Sequence, residues 1–241
     1  MDFSELPASW PPEEGGGTRV LPIFPLPNVW LFPGAIMPLN IFEPRYVQMI
    51  EDCLDGPGRF VLGTILGGHE GESMGAPPFG DMAGFGEIGR HDRQDDGRYH
   101  IVLVGLGRVR VEEVESDRLY RKVRAQGLFE IGMGADDEDV LRAQLIEAIR
   151  RRTQIAMPGQ TLPSIPPDVP LGRLADLLSL RMPLTYESIE RLYGELDVRE
   201  RALFALEQDK LRPNIPPQQP PPNAPPGMPP GMPPQPPPGP A

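Results

Sequence analysis

Lysine is the side chain that both phosphate-binding loops and Ser-Lys peptidases require, and this 241-residue chain has only Lys122 and Lys210. A phosphate-binding loop places its lysine directly after glycine, so that the ammonium reaches the nucleotide phosphates. Lys122 instead follows Arg121 in a predicted strand, and Lys210 follows Asp209 near a predicted helix end. A Ser-Lys dyad needs a lysine as its base. We therefore predict that the chain is not an enzyme and has no catalytic residue.

The three histidines do not form the pattern of a zinc site. His69-Glu70 begins an HExxH-like sequence, but Ser73 stands where the second histidine is needed. His91 and His100 can face each other across a hairpin, depending on its register. Two ligands without a third do not make a zinc site, so we expect exposed hairpin histidines and no bound metal.

Cysteine and glycine patterns give no catalytic or cofactor site either. Cys53 is the only cysteine and lies beside Leu54 in a predicted helix, with no histidine placed to activate it. A small buried or half-buried side chain is the expected role. Gly105-Leu106-Gly107 has Arg110 where a dinucleotide fingerprint needs glycine, and a strand follows where a helix is required. We predict a strand connection there and no cofactor.

Composition restricts the partners. The formal net charge of −11 disfavours DNA and anionic membranes. No segment approaches the roughly 20 apolar residues that span a bilayer, and the N-terminus lacks a secretory signal. We expect a cytoplasmic protein.

The first half has the pattern of a small β-structure. Short apolar runs, several interrupted by proline, suggest edge or bulged strands. The turn sequence Asp95-Asp96-Gly97 favours a hairpin, and Gly56 follows a helical repeat of Val47, Ile50 and Leu54. We predict a closed or nearly closed, mostly antiparallel sheet with one helix at 44–54 and extended runs at 19–26, 29–32, 35–39, 59–66, 85–90, 99–104, 109–114 and 120–128.

The second half has the pattern of a small helical bundle. We predict helices at 136–156, 171–180 and 185–196, and a last helix after Asp197, which with Glu200 approximates a capping box. The sequence ends in proline-rich, low-complexity residues. They contain too little apolar surface to offset the conformational entropy that they would lose on ordering. The predicted organisation is a leader at 1–17, a β-subdomain at 18–130, a helical subdomain at 131–212 and a disordered tail at 213–241.

Three segments resemble the N-terminal, substrate-recognition domain of the Lon protease family. The first holds Leu21-Pro-Ile-Phe-Pro-Leu-Pro-Asn28, then Leu31-Phe-Pro-Gly34 and Met37-Pro-Leu39, with Phe42-Glu-Pro-Arg-Tyr46 after it. The second holds Gly84-Phe-Gly86 to Arg90, the Asp-Gly hairpin and Val104-Gly-Leu-Gly-Arg-Val-Arg-Val111. The third combines Leu174-Ala-Asp-Leu177 with Leu196-Asp-Val-Arg-Glu-Arg201. The resemblance covers residues 18–212 and implies an α+β fold, with a PUA-like, mostly antiparallel β-barrel followed by helices.

The resemblance also implies a function: non-catalytic binding of unfolded or tagged polypeptides, as an adaptor or regulator in protein quality control. The expected partners are unfolded or partly folded polypeptides, with a protease or chaperone as a further candidate. Two alternatives remain open, an RNA-binding PUA-like module and a structural subunit of a dedicated complex. The RNA alternative is disfavoured, because acidic residues at 112–117 interrupt the basic run at 108–124. Whether the proline-rich tail binds a partner also remains open.

For polypeptide binding, the candidates are aromatic, Met and Arg side chains on or near the early helix. Such side chains make adaptable apolar contacts with partners of no fixed sequence. Several of them could equally fill the core. The candidate residues are Phe42, Arg45, Tyr46, Met49, Trp30 and Met37.

Overall fold

The computed structural model describes residues 17–69, 75–132, 138–159 and 165–212, and its contacts divide the chain into two units after Leu128. The residues before the division are rich in strands, and those after it are helical. Most of the predicted leader and the whole predicted tail at 213–241 lie outside the described residues.

The first unit, here called the β-unit, is a six-stranded sheet with one helix in the described residues. Proline at the first position of the helix costs no hydrogen bond, because that amide has no partner within the helix. The elements are β1 (Thr18–Pro27), β2 (Ile36–Ile41), α1 (Pro44–Leu54), β3 (Arg59–Ile65), β4 (Met82–Arg93), β5 (Tyr99–Val114) and β6 (Lys122–Leu128).

The sheet has the strand order β2-β5-β4-β3-β1-β6, and β6 pairs in addition with the second half of β5. The β1–β3 pair is parallel and the other pairs are antiparallel. The mostly antiparallel sheet of an α+β fold is therefore confirmed. The structure is not a regular closed barrel, because β5 is the one strand that β2 pairs with among the described residues.

The β5 strand is continuous, whereas the sequence predicted two strands joined at Gly105–Gly107. Its first half pairs with β2 and its second half with β6, while β4 pairs along both halves. The ladder with β4 crosses the glycines with a register shift at Phe85/Gly86. The long partner strand keeps this segment extended, so a sequence that reads locally as a connection is part of the sheet.

The apolar run Val29–Phe32 was predicted to be extended but forms no strand. Its backbone crosses directly over glycines of β4 and β5. A Cβ at Gly84 would lie 2.5 Å from the Leu31 Cβ, and one at Gly105 would overlap the Phe32 carbonyl oxygen. The Gly34 amide donates to the Gly105 carbonyl oxygen over 2.5 Å. Gly84 and Gly105 of the second resembling segment therefore leave the space that the Leu31-Phe32 backbone of the first segment occupies.

The prolines of β1 are accommodated because each half of the strand has a ladder partner on one side. Residues 18–22 pair with β6, and residues 23–27 pair with β3. A proline in such a half can direct its missing donor toward the unpaired side. Each half of β1 is therefore paired like an edge strand, which is how this proline-rich run was predicted.

The second unit, here called the helical unit, contains α2 (Glu138–Ala156), α3 (Leu171–Ser179), α4 (Tyr186–Gly194) and α5 (Val198–Leu211). Its core is formed by leucine and alanine side chains of these helices, among them Leu145, Leu174 and Ala202. The predicted cap is present at Asp197, whose carboxylate accepts from the amides of Arg199 and Glu200.

Two fully buried arginines join the helices of this unit. Arg201 forms ion pairs with Asp176, at an N–O distance of 3.3 Å, and with Glu130. It also donates to the Glu195 carbonyl oxygen over 2.7 Å. Gly172 leaves room for this cluster, since a Cβ there would overlap Arg201 and Glu130. The residues of the third resembling segment thus form a buried ionic cluster.

The second buried arginine, Arg152 in α2, bonds to the end of α5. Arg152 donates from Nε to the Asp209 carboxylate over 2.6 Å, and Arg151 pairs with the other oxygen of that carboxylate. Arg152 also donates to the carbonyl oxygen of Arg212.

Candidate polypeptide-binding surface

Four of the six predicted binding residues lie in the core of the β-unit. Met49 has an exposed fraction of 0 %, and Tyr46, Met37 and Trp30 are also buried. Among the six candidates, only Phe42 and Arg45 have an intermediate exposure. In this conformation a partner cannot reach Met49, so the prediction for this residue is corrected to a role in packing.

Tyr46 packs against the sheet through its ring. The ring centroid lies 4.3 Å from that of Phe24, and the guanidinium of Arg45 lies 4.6 Å from the Tyr46 centroid. Burial raises the pKa of Tyr46 to about 12, with a smaller opposing effect of Arg45. The ring of Tyr46 therefore serves as an apolar contact of the core.

Arg45, the charged candidate, is already engaged within the chain. Its Nε donates to Glu43 over 2.9 Å, and its Nη1 donates to the carbonyl oxygen of Gly75 over 2.8 Å. A partner carboxylate would have to compete with both contacts. Phe42 is consequently the one apolar residue among the six candidates that keeps accessible surface.

The polar side of α1 binds the connection between β5 and β6. The Tyr120 hydroxyl donates to the Asp52 carboxylate over 2.8 Å, and the Leu119 amide donates to Gln48 over 3.0 Å. Burial, followed by the hydrogen bond to Asp52, raises the pKa of Tyr120. These contacts hold the helix from its polar side while Met49 anchors it from the apolar side.

Replacing Met49 with aspartate is expected to unfold the β-unit, not to remove binding selectively. The substitution would bury a charge without a partner, which costs several kcal/mol. Circular dichroism during urea unfolding measures the effect, and Pro44→Asp, at the exposed first position of the same helix, is the matched control. A Met49→Asp chain with the midpoint of the control would contradict the assignment to the core.

Cys53 has the properties of a packing residue. It is buried, and its Sγ lies 3.6 Å from the Arg59 carbonyl oxygen as a weak donor. Burial, with a smaller effect of Asp52, raises the pKa of the thiol from 9.0 to about 12. The reactive thiolate is therefore scarce at neutral pH.

We expect Cys53 to react with a chromogenic disulfide reagent at pH 8 far more slowly in the folded chain than in urea. The folded pKa lies above the unfolded value, so the thiol stabilises the fold below pH 9, and this contribution is lost as the pH rises toward 12. Urea unfolding at a series of pH values measures this loss of stability. The loss should be smaller in the control variant Cys53→Ala. Equal labelling rates in the folded and unfolded chains would contradict the prediction.

The histidines of the β4–β5 hairpin do not face each other. His91 pairs with Ile101, and His100 pairs with Asp92, so the two histidines are offset by one position in the ladder. Both side chains are exposed. Within the described ranges, no group of His, Cys, Asp and Glu side chains could hold a metal ion, and no helix is long and apolar enough to cross a membrane.

The basic residues of the 108–124 run are individually matched. Arg108 is buried and lies 5.5 Å from the ring of Phe32. The others pair with carboxylates, so the run does not form the uniform positive surface on which RNA binding depends. The pairs are Arg110–Asp81, Arg118–Asp52, Arg121–Glu113, Lys122–Asp117 and Arg124–Glu112.

A feature that the sequence reasoning missed is the free edge of β2. The strand alternates between buried Met37, Leu39 and Ile41 and more exposed Ile36, Pro38 and Asn40. This alternation is visible in the sequence once the strand is assigned, whereas the lack of a second neighbouring strand in the described part of the chain is not.

The fold is shared with two solved Lon domains. The N-terminal domain of Mycobacterium avium complex Lon protease aligns with a TM-score of 0.56 at 15% identity, covering 80% of this chain and 100% of that domain. The Lon N-terminal domain protein from Xanthomonas campestris aligns with a TM-score of 0.56 at 23% identity, covering 78% of this chain and 98% of that protein. At these identities the likeness establishes the fold.

The family model that matches residues 20–208 is described as the ATP-dependent protease La (LON) substrate-binding domain. The chain belongs to this family.

Curated relatives extend well beyond the matched region. Lon protease 2 of Sorangium cellulosum (strain So ce56) is 29% identical over 200 residues, which are 77% of this chain and 24% of that protein. Lon protease 2 of Myxococcus xanthus is 24% identical over 202 residues, which are 78% of this chain and 23% of that protein. The chain therefore spans about a quarter of the length of these curated relatives.

Proposed function

We propose that this chain binds unfolded or partly folded polypeptides and does not act on them chemically. The observation that carries the proposal is the match of residues 20–208 to a family described as a substrate-binding domain of a protease. Substrates of a protease are polypeptides, and an extended or partly folded segment is the form that a binding surface without a deep site can accept.

The role that fits this activity is that of an adaptor or regulator in protein quality control. A protease or chaperone that receives the bound polypeptide is the corresponding partner. The pairing of the basic run argues against RNA as an alternative ligand, because its charges are balanced by carboxylates such as Glu112 and Glu113. A structural subunit of a dedicated complex remains the competing function, and the test below separates it from the proposal.

The test is the binding of the full chain to a panel of fluorescently labelled unfolded polypeptides, with the same polypeptides in native form and a structured RNA as controls. We expect weak binding to the unfolded forms alone, since ordering a flexible chain offsets part of the contact energy. The absence of binding to every unfolded polypeptide would refute the proposal and favour the dedicated-complex alternative.

A matched pair of surface variants tests whether the start of α1 takes part. Phe42→Ala is expected to weaken binding, whereas Val20→Ala removes an exposed apolar side chain of β1 and should leave binding unchanged. Circular dichroism establishes that both variants are folded. Equal losses in the two variants would remove Phe42 from the proposed surface.

A further inference from the structure

The β2 strand ends the sheet on one side. It pairs with β5 from Ile36 to Ile41, and no other strand in the described ranges lies on its opposite side. A strand in this position leaves backbone donors and acceptors without a sheet partner, and these groups can pair with another extended chain.

The ladder fixes which backbone groups face the open side. The Gly105 amide donates to the Ala35 carbonyl oxygen over 2.9 Å, and these residues continue the β2–β5 register as a hydrogen-bonded pair. In an antiparallel ladder such pairs alternate with non-bonded pairs. Met37, Leu39 and Ile41 therefore bond to β5, and the backbone groups of Ile36, Pro38 and Asn40 point away from it.

Pro38 fits this assignment because an outward-facing residue needs no amide for β5. The open edge consequently offers the amides of Ile36 and Asn40, together with the carbonyl oxygens of all three outward residues. The Asn40 Oδ1 is buried and has no hydrogen-bond partner among the described residues, so the edge offers its backbone groups and not this side-chain oxygen.

The side chains beside the open edge are uncharged. Ile36 is 44 % exposed and Pro38 is also exposed. On the neighbouring strand, Val104 and Val102 stand opposite these two residues and are partly exposed. The strand itself contains no charged residue. Natural edge strands are commonly protected by charges, and proline is the only such protection here.

We infer that the open edge of β2 binds an extended, apolar, uncharged segment of a polypeptide by strand addition. This inference rests on the proposed function and assigns it a site. An incoming antiparallel strand forms both hydrogen bonds at Ile36 and at Asn40, and it donates one to the carbonyl oxygen of Pro38. Its apolar side chains pack beside Ile36 and Pro38.

A second copy of the chain fits the edge poorly. When Ile36 of one copy pairs with Asn40 of the other, so that the outward residues of both strands face each other, each Pro38 stands opposite the other Pro38. Neither residue has an amide, so two carbonyl oxygens face each other without a donor. Two copies with a formal charge of −11 each also repel. A strand from another protein has an amide opposite Pro38, so it does not leave two carbonyl oxygens facing each other without a donor.

The probe is a short fluorescein-labelled peptide of alternating valine and serine, together with its analogue N-methylated at every residue. The full chain is titrated with each peptide and the anisotropy is recorded. The unmodified peptide is expected to bind. The N-methylated analogue should bind about tenfold more weakly or not at all, because it cannot donate to the edge.

Two further measurements place the peptide on the chain. The amide exchange rates of Ile36 and Asn40, followed by NMR, should fall when the peptide is added. Ile36→Pro removes one outward amide without removing a bond to β5 and should weaken peptide binding, whereas Ile36→Ala keeps the amide and is the matched control. If Ile36→Pro does not fold, the exchange rates and the methylated peptide still decide the question.

The outcomes separate the inference from the function on which it rests. Failure of the wild-type chain to bind both the peptide and unfolded proteins would refute the proposed function and the inference together. Equal binding of the two peptides, with unchanged exchange at Ile36 and Asn40, would overturn the strand-addition site alone. Protection of these amides that rises with the concentration of the chain by itself would assign the edge to a second copy and would also overturn the inference.

Discussion

Replacing Gly105 with alanine is expected to destabilise the β-unit by about 3 kcal/mol, near the upper end of the usual overpacking cost. The added Cβ would overlap the Phe32 carbonyl oxygen, and that oxygen belongs to a backbone segment that also bonds to Gly105. Backbone cannot rotate out of the way as a flexible side chain can. The midpoint of urea unfolding, followed by circular dichroism, measures the loss.

Gly80 provides the matched control for this substitution. A Cβ at Gly80 meets the Met82 carbonyl oxygen at 3.7 Å, an ordinary contact. Gly80→Ala should therefore change the unfolding free energy by about 0.5 kcal/mol or less. Similar midpoints for Gly105→Ala and Gly80→Ala would show that the crossing of Leu31-Phe32 over the sheet is not as tight as described.

Replacing Arg201 with methionine is expected to lower the unfolding free energy of the helical unit by about 3–5 kcal/mol. The change keeps much of the side-chain volume but removes the ion pair between Arg201 and the buried carboxylate of Asp176. Arg199→Ala is the control, because Arg199 lies two positions away on the same helix and its side chain is 46% exposed. Thermal unfolding of both variants gives the comparison.

A double variant separates the loss of the pair from the loss of packing. Replacing Asp176 with leucine in the Arg201→Met chain removes the buried carboxylate with which Arg201 paired, so the double variant should be more stable than Arg201→Met alone. If adding Asp176→Leu lowers the stability further by its full single-variant effect, the two residues are not coupled and the buried ionic cluster does not hold the bundle.

Elements with a strong local signal could be predicted from the sequence. Helix α1 extends over the predicted residues 44–54, where proline starts it and Gly56 follows its end. The structure of β5 could not be predicted in this way. Gly105–Gly107 has the local composition of a connection, and only its pairing with β4 keeps it extended.

The exposure of the candidate site could have been predicted better than it was. Tyr46, Met49, Ile50 and Cys53 recur at helical spacing, and the structure buries all four. The apolar repeat of Val47, Ile50 and Leu54 omits three of them, so it predicts a buried face rotated by one residue. Large side chains on that repeat fill the core before they are available to a partner.

The segments that carried the family resemblance do not themselves indicate a binding site. Gly84, Gly105 and the Leu31-Phe32 crossing fix the path of the backbone, and Asp176 with Arg201 joins the helices. Glycine is required where two backbone segments approach closely, and the Asp-Arg pair is required because each charge is buried. A surface that recognises polypeptides through their backbone has no such side-chain requirement, so its position depends on strand pairing and not on a local motif.

The position of β1 also has a consequence for biosynthesis. This first strand pairs with β3 through one half and with β6 through the other, and β6 ends at Leu128. A growing chain cannot complete the sheet until Leu128 has left the ribosome. Until then the apolar residues of β1, Ile23 and Phe24 among them, lack part of their final surroundings. Non-local closure of this kind slows folding and lengthens exposure of the nascent chain to chaperones.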